Sequence, residues 1–362
     1  MFARKKILNI VGVRPNFVKI AALLKAMMRD KDIEPLLVHA GQHHDVAMSA
    51  VLFKELKIPK PHYQLTMNAT TRRKQIAQTM RALQPIMLKL KPHLVVVVGD
   101  ANTTLAAAHI AKKLGIRIAH IEAGLRSYDN AMPEEKNRIL TDRISDYLFV
   151  TEQSGVDNLK REKITHGVYL VGNVMIDTLL QHKHNIISSR CVKKLHLIKK
   201  QYAVVTLHRP SNVDCPRDFI KLMDIVKEVS KKIKIIFPVH PRTVKLISKY
   251  HLMLDGFPHT GPLSYFDFLN LVINARFVLT DSGGVQEETT CLGIPCLTLR
   301  ENTERPITTT IGTNILCGSD KKKILSEVDK ILQGTIKRGR IPRYWDGKTS
   351  QRIVKILAKN LS

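Results

Sequence analysis

The chain has 362 residues, 44% hydrophobic and 25% charged, with a formal net charge of +27. This composition is ordinary for a globular protein, and the length exceeds what one hydrophobic core usually fills, so two domains are expected. The charge raises a nucleic-acid partner, but it is spread almost evenly, +12 over residues 1–172 and +15 over 173–362, and one Trp with few other aromatics leaves little for base stacking.

Residues 1–24 imitate a signal peptide, but Arg14, Pro15 and Lys19 interrupt the apolar run and no small-residue cleavage site follows. No other segment reaches membrane-spanning length without charges. The expectation is a cytoplasmic protein with no nucleic-acid partner and no membrane insertion. The five cysteines, Cys191, Cys215, Cys291, Cys296 and Cys317, contain no Cys-x-x-Cys pair and are expected to be reduced and buried.

Strand-length apolar runs alternate with helical patterns. In the first half they cover 6–12, 35–39, 94–99, 116–121 and 147–151; in the second, 202–207, 234–239, 277–280, 296–299 and 313–316. Continuous runs such as Val95-Val96-Val97-Val98 suit strands buried on both faces, and the alternation predicts parallel βαβ units. The fold class expected is therefore α/β, with two doubly wound parallel-sheet domains. Gly172-Asn173 precedes a polar stretch, which places the boundary near 172. The domains are then 1–172 and 173–349, with a last helix over 350–362 after the turn-like Trp345-Asp346-Gly347.

The first strand leads into Gly12-Val13-Arg14-Pro15, which delivers Arg14 and Lys19 to the ligand-binding edge of an α/β sheet. A cation held at a positive helix end usually has an anion to meet. The next such edge carries Gly99-Asp100-Ala101, where Asp100 reads as a helix cap or a catalytic group. Glu122 ends the strand of His120-Ile121-Glu122 and needs a partner, for which Arg126 is a candidate. Met132-Pro133-Glu134-Glu135 opens a helix, with Glu134 and Arg138 at i, i+4 spacing.

The second half offers His208-Arg209-Pro210 and His240-Pro241-Arg242 after strands, and a polar loop from Arg300 to Pro306. Thr280-Asp281-Ser282-Gly283-Gly284 turns a strand into a helix with Glu287 and Glu288 near its start. Unpaired N–H groups at such a turn suit phosphate oxygens, and neighbouring Arg and His side chains suit a diphosphate. Cations in the second domain and carboxylates in the first suggest a cleft between them.

These motifs, with Gly41-Gln42-His43, Leu140-Thr141-Asp142 and Thr303-Glu304-Arg305-Pro306, resemble the non-hydrolysing UDP-N-acetylglucosamine 2-epimerase family over nearly the whole chain. The resemblance implies two Rossmann-like domains of glycosyltransferase-B-like type, with the last helix crossing back to the first domain. It implies that Arg14, Lys19, His208, Ser282, Gly283, Gly284, Glu288 and Arg305 hold the UDP-sugar, and that Asp100, Glu122, Glu134 and His208 are catalytic. Gln42, His43, Arg72 and His240 would serve an allosteric UDP-sugar site found in part of the family, although the loop from Arg126 to Pro133 is short for some members. No cofactor or metal is implied, and a homodimer is expected. The implied reaction interconverts UDP-N-acetylglucosamine and UDP-N-acetylmannosamine by elimination and re-addition of UDP, supplying a precursor for surface polysaccharide. Asn16, Val13 and Ala101 depart from the commonest pattern, Asn16 standing where Glu often follows Arg-Pro. Competing readings are a hydrolysing epimerase releasing N-acetylmannosamine and a glycosyltransferase of the same fold.

Overall fold

Among the described residues the ten apolar runs, joined by three further strands at 63–67, 168–170 and 259–260, form two wholly parallel sheets, of seven and six strands. The computed structural model describes residues 4–42, 46–239, 241–249 and 258–361. The chain divides into two compact units, Met1–Gln181 with Arg343–Ser362, and His182–Pro342.

Unit 1 runs β1 (Lys5–Val11), α1 (Arg14–Met28), β2 (Ile33–Gln42), α2 (Val46–Leu56), β3 (Tyr63–Met67), α3 (Arg72–Leu90), β4 (Leu94–Val98), α4 (Asn102–Lys113), β5 (Arg117–Ala123), α5 (Pro133–Ile144), β6 (Tyr147–Val150), α6 (Gln153–Arg161), β7 (Val168–Leu170) and α7 (Val174–Gln181). Its strand order is β3-β2-β1-β4-β5-β6-β7. The direction of strand addition therefore reverses between β1 and β4, and the crevice above their carboxyl ends is where open α/β sheets take ligands. Every residue of β4 is buried. The edge strand β3 instead alternates half-buried and exposed positions, which is why its pattern, broken by Gln64 and Thr66, did not read as a strand from sequence.

Unit 2 begins with the short helices α8 (Lys183–Ser188) and α9 (Cys191–Lys194). It continues through β8 (Tyr202–Thr206), α10 (Pro210–Val213), α11 (Pro216–Ser230), β9 (Lys234–Pro238), α12 (Pro241–Lys249), β10 (His259–Thr260), α13 (Tyr265–Asn274), β11 (Phe277–Thr280), α14 (Gly283–Leu292), β12 (Cys296–Thr298), α15 (Pro306–Thr310), β13 (Asn314–Leu316) and α16 (Lys321–Gln333). The order β10-β9-β8-β11-β12-β13 puts its reversal between β8 and β11. Phe219, Leu222, Val226, Phe237, Leu279 and Val328 lie in the core on one side of this sheet.

The final helix, α17 (Thr349–Leu361), belongs to unit 1 and packs on α1 and α7. Asp177 of α7 holds its start, accepting from the N–H groups of Thr349 (3.1 Å) and Ser350 (2.6 Å). The preceding turn is fixed by Trp345, whose Nε1 donates to Thr151 O (3.2 Å). Four cysteines are buried as expected, but Cys215 is exposed, because it precedes Pro216 at the outer start of α11.

Candidate functional site

In unit 1 the groups collect at the β1/β4 reversal. Asn16, in the first turn of α1, accepts from the N–H groups of Gly12 and Val13 (both 3.2 Å) and donates from Nδ2 to Val98 O (3.0 Å). Its carboxamide thus ties the β1 turn to the end of β4, a task that needs a donor and an acceptor together and that Glu could not perform in the same way. Gly99 follows with φ +67°, and a Cβ there would stand 3.3 Å from Lys19 Nζ and 3.5 Å from Glu122 Oε2. A side chain would be strained at this φ and would crowd the charged groups.

Glu122 is buried and has φ +69°, at the point where the pairing of β5 with β6 shifts register. Such an irregularity re-aims a side chain at the cost of about 1–3 kcal/mol for the unusual backbone. The partner of Glu122 is Lys19, also buried, and not Arg126 as the spacing indicated. Arg126 lies in the loop after β5, bonded to Asp142 (2.7 Å) and in a fork to Glu162 (2.7 and 3.0 Å). Lys19, taken from sequence as a phosphate contact, therefore has a carboxylate beside it already.

Asp100 is not a helix cap. Ala101 occupies the N-cap of α4, and the Asp100 carboxylate, about a third exposed at 32%, bonds Arg138 (2.6 Å). Arg138 also meets Glu135 (2.5 Å), so its pairing within α5 is at i, i+3 with Glu135 rather than at i, i+4 with Glu134. Glu135 accepts further from Ser127 and Tyr128 and fixes the loop before α5. Its neighbour Glu134 is half-buried with no hydrogen bond or ion pair among the described residues. Two adjacent acids thus divide the work, one structural and one available, and only the helix register distinguishes them.

Beneath this edge His120 is fully buried, with Nδ1 2.7 Å from Asp142 Oδ1 and Nε2 2.8 Å from Gly99 O. Both ring nitrogens face acceptors, so the ring is held from two sides. Burial would raise the Asp142 carboxyl, but hydrogen bonds and charge from His120 and Arg126 hold it below its ordinary value.

In unit 2 the β8/β11 reversal brings His208 and Arg209 beside Asp281, Ser282 and Gly283. Thr206 and Thr280 join the strand ends through their hydroxyls (2.6 Å). Asp281 is fully buried and accepts from the N–H groups of His208 (3.0 Å) and Arg209 (2.9 Å), from Asn212 Nδ2 (3.1 Å) and from His208 Nδ1 (2.8 Å). Burial alone would raise this carboxyl too, but the His208 contact and the two N–H groups lower it.

The α14 start has no side-chain cap at Ser282. Since the helix opens at Gly283, Glu287 and Glu288 fall in its second turn and not at its acidic start, so no carboxylate competes at the first-turn N–H groups. Against Gly283 stands the Arg305 guanidinium, where a Cβ would collide with it. Arg305 Nε is held by Glu287 (2.6 Å), while Glu304, also fully buried, takes Arg300 (2.9 Å) and Arg209 (3.3 Å). Cations held beside an uncapped helix start are groups of the kind that suit an anion.

A family model described as UDP-N-acetylglucosamine 2-epimerase matches residues 25–358. The chain belongs to that family. It is 41% identical to a UDP-N-acetylglucosamine 2-epimerase homolog of Methanococcus maripaludis, covering 97% of this chain and 99% of that protein. It is 38% identical to the UDP-2,3-diacetamido-2,3-dideoxy-D-glucuronate 2-epimerase of Pseudomonas aeruginosa, covering 98% and 99%. The crystal structure of the Methanocaldococcus jannaschii UDP-GlcNAc 2-epimerase in complex with UDP-GlcNAc and UDP superimposes with a TM-score of 0.91 at 38% identity, covering 98% of this chain and 99% of that one. The expected α/β class with two doubly wound, glycosyltransferase-B-like domains is present in this family member.

Of the residues expected at an allosteric site in the epimerase family, His43 and His240 lie outside the described residues, and Gln42 is described only as the last residue of β2. Arg72 opens α3 and donates to Asn137 Oδ1 (2.7 Å), within the network that Asn137 extends to Asp100 O (2.8 Å). Sequence reasoning gave no role to Asn16, Glu135, Asp281 or Glu304. Asp281 carried a usable signal, an acid at the end of an apolar strand two residues before a glycine turn.

Arg305→Ala and Glu288→Ala are each expected to weaken UDP binding while the fold survives, as calorimetric titration with UDP will measure. Unchanged affinity in both would remove the nucleotide site from unit 2.

Proposed function

We propose that this epimerase-family chain interconverts UDP-N-acetylglucosamine and UDP-N-acetylmannosamine without hydrolysis. In this reading the unit 2 groups His208, Ser282, Gly283, Gly284, Glu288 and Arg305, with Arg14 and Lys19 of unit 1, serve the UDP portion. Asp100, Glu122 and Glu134 serve the sugar. The observation that carries it is the gathering of Asp100 and Glu122 at adjacent strand ends of a family member, with the available acid Glu134 on the helix that follows.

The C2 hydrogen is not acidic, so a carboxylate removes it only as the C1–O bond to UDP breaks. The C2–H electrons form the glycal double bond, the C1–O electrons leave on the diphosphate, and the proton stays on the base. Re-addition of UDP at C1 and of a proton at C2 from the other face inverts that centre. Stabilising charge on the departing diphosphate is then the main electrostatic task, suited to Arg305 and the α14 N–H groups. A positioned base adds about a hundred- to ten-thousand-fold. The substrate is a soluble nucleotide sugar, and the proposed setting is cytoplasmic synthesis of surface polysaccharide precursor by a homodimer. No described helix is long and apolar enough to cross a membrane.

Proton NMR of UDP-N-acetylglucosamine incubated with the protein in D2O is expected to show both gluco and manno nucleotide sugars with deuterium at C2. Free N-acetylmannosamine in place of the manno nucleotide would move the chain to the hydrolysing class. Turnover of a UDP-diacetamido-uronate alone would move the substrate to that of the Pseudomonas relative.

A further inference from the structure

Asp281 is buried completely, yet its partners are two backbone N–H groups, an Asn amide and one imidazole, with no Lys or Arg side chain against it among the described residues. A carboxylate in that state only accepts, so the His208 nitrogen 2.8 Å from Oδ1 must carry its hydrogen. The contact therefore fixes the tautomer: Nδ1 is protonated, and in the neutral ring the lone pair sits on Nε2, at the edge of the ring away from Asp281. The His208 side chain is 33% exposed while Asp281 is sealed beneath it. When Nε2 takes up a proton, the positive charge that spreads over the ring lies against a buried negative one.

We infer that Asp281 is a positioning residue for the epimerisation, acting through His208 to present Nε2 to a diphosphate oxygen as the C1–O bond breaks and re-forms. The inference rests on the function proposed above. In the elimination, the C1–O electron pair goes to the diphosphate oxygen, and protonated Nε2 donates its hydrogen to that oxygen. In the re-addition the oxygen attacks C1 and the proton returns to Nε2. The C2 proton is handled separately by a carboxylate of unit 1, so no co-reactant is needed. A paired carboxylate that sets a ring tautomer in this way is a general device of proton-transfer sites.

The alternative is that Asp281 merely fastens the loop after β8 through its backbone bonds. Two readouts separate these roles. With 15N-labelled histidine, the signals lost in H208N identify His208 in the wild type. They are expected to report hydrogen on Nδ1 and none on Nε2 in the neutral ring, and an Nε2–H tautomer there would overturn the inference. This spectrum needs no turnover, so it stands even if wild-type protein leaves UDP-N-acetylglucosamine unchanged, a result that would sink the proposed function instead.

The second readout is a double-mutant cycle on turnover. D281N keeps an acceptor for the loop N–H groups but loses the charge, and is expected to lower kcat about a hundredfold or more with UDP affinity within a few-fold. Added to H208N, it should cost little more, because residues that act as a unit are not additive. Full multiplication of the two losses would overturn the inference and leave Asp281 a loop fastener.

Discussion

Replacing Asp100, Glu122 or Glu134 by its amide is expected to lower turnover by at least about a hundredfold while UDP affinity stays within a few-fold. The amides keep shape and most hydrogen bonding but lose charge and basicity. The three variants should differ in what else they lose. Glu122→Gln removes the counter-ion of buried Lys19, and an uncompensated buried charge costs about 3–5 kcal/mol, so its stability should fall as well. Asp100→Asn gives up the ion pair with Arg138, which Glu135 still holds. Glu134→Gln disturbs no ion pair among the described residues and is the cleanest test, since any lost turnover there is lost chemistry. Rates are to be taken per folded protein, with UDP binding by calorimetry. Wild-type turnover in all three variants would make the carboxylates structural and favour a glycosyltransferase-like role.

Arg126→Leu is expected to destabilise unit 1 by about 3–5 kcal/mol, because it leaves the sealed Asp142 without its guanidinium partner. Burial alone would pull the Arg126 guanidinium down, but Glu162 and Asp142 hold it above its ordinary value. The same contacts make a pH prediction. The Asp142 carboxyl is lowered on folding from its ordinary 3.8. Its contribution is therefore full above that value and is lost as the pH falls through the still lower folded value. Urea midpoints followed from pH 7 downward should thus decline more steeply on acidification in wild type than in Arg126→Leu. Parallel curves would show that Asp142 draws nothing from Arg126.

The parts of this molecule that were legible from sequence are those set by local pattern. Val95 to Val98, buried on both faces, could be nothing but a central strand, and Ser282-Gly283-Gly284 after Phe277–Thr280 could be read as a strand-to-helix turn. Partnerships were not legible, because the sequence neighbour is seldom the spatial one. Arg126 follows Glu122 in the chain, yet the ion pair is made by Lys19, which the β1/β4 reversal brings alongside. Glu134 and Glu135 look alike on paper, and the single helical step between them decides which one faces Ser127. Glu304 was indistinguishable from Glu301 until the loop folded it beneath Arg300 and Arg209. The division at Gln181 and His182 lies beyond the Gly172-Asn173 turn because α7 stays against α1, a packing choice that no turn residue announces.

The return of α17 to α1 has a consequence for the order in which the molecule can be made. Residues 182–342 are continuous, so unit 2 can close on itself as soon as it leaves the ribosome. Unit 1 emerges first but must wait, because the surface of α1 that α17 covers stays open until residues 343–361 arrive. During that interval Leu23 and Met27, both sealed in the finished protein, belong to a helix whose cover has not yet been synthesised. Contacts this distant along the chain form slowly, and apolar surface left waiting invites association with other chains. Shortening α17 is therefore expected to unsettle the first domain and spare the second.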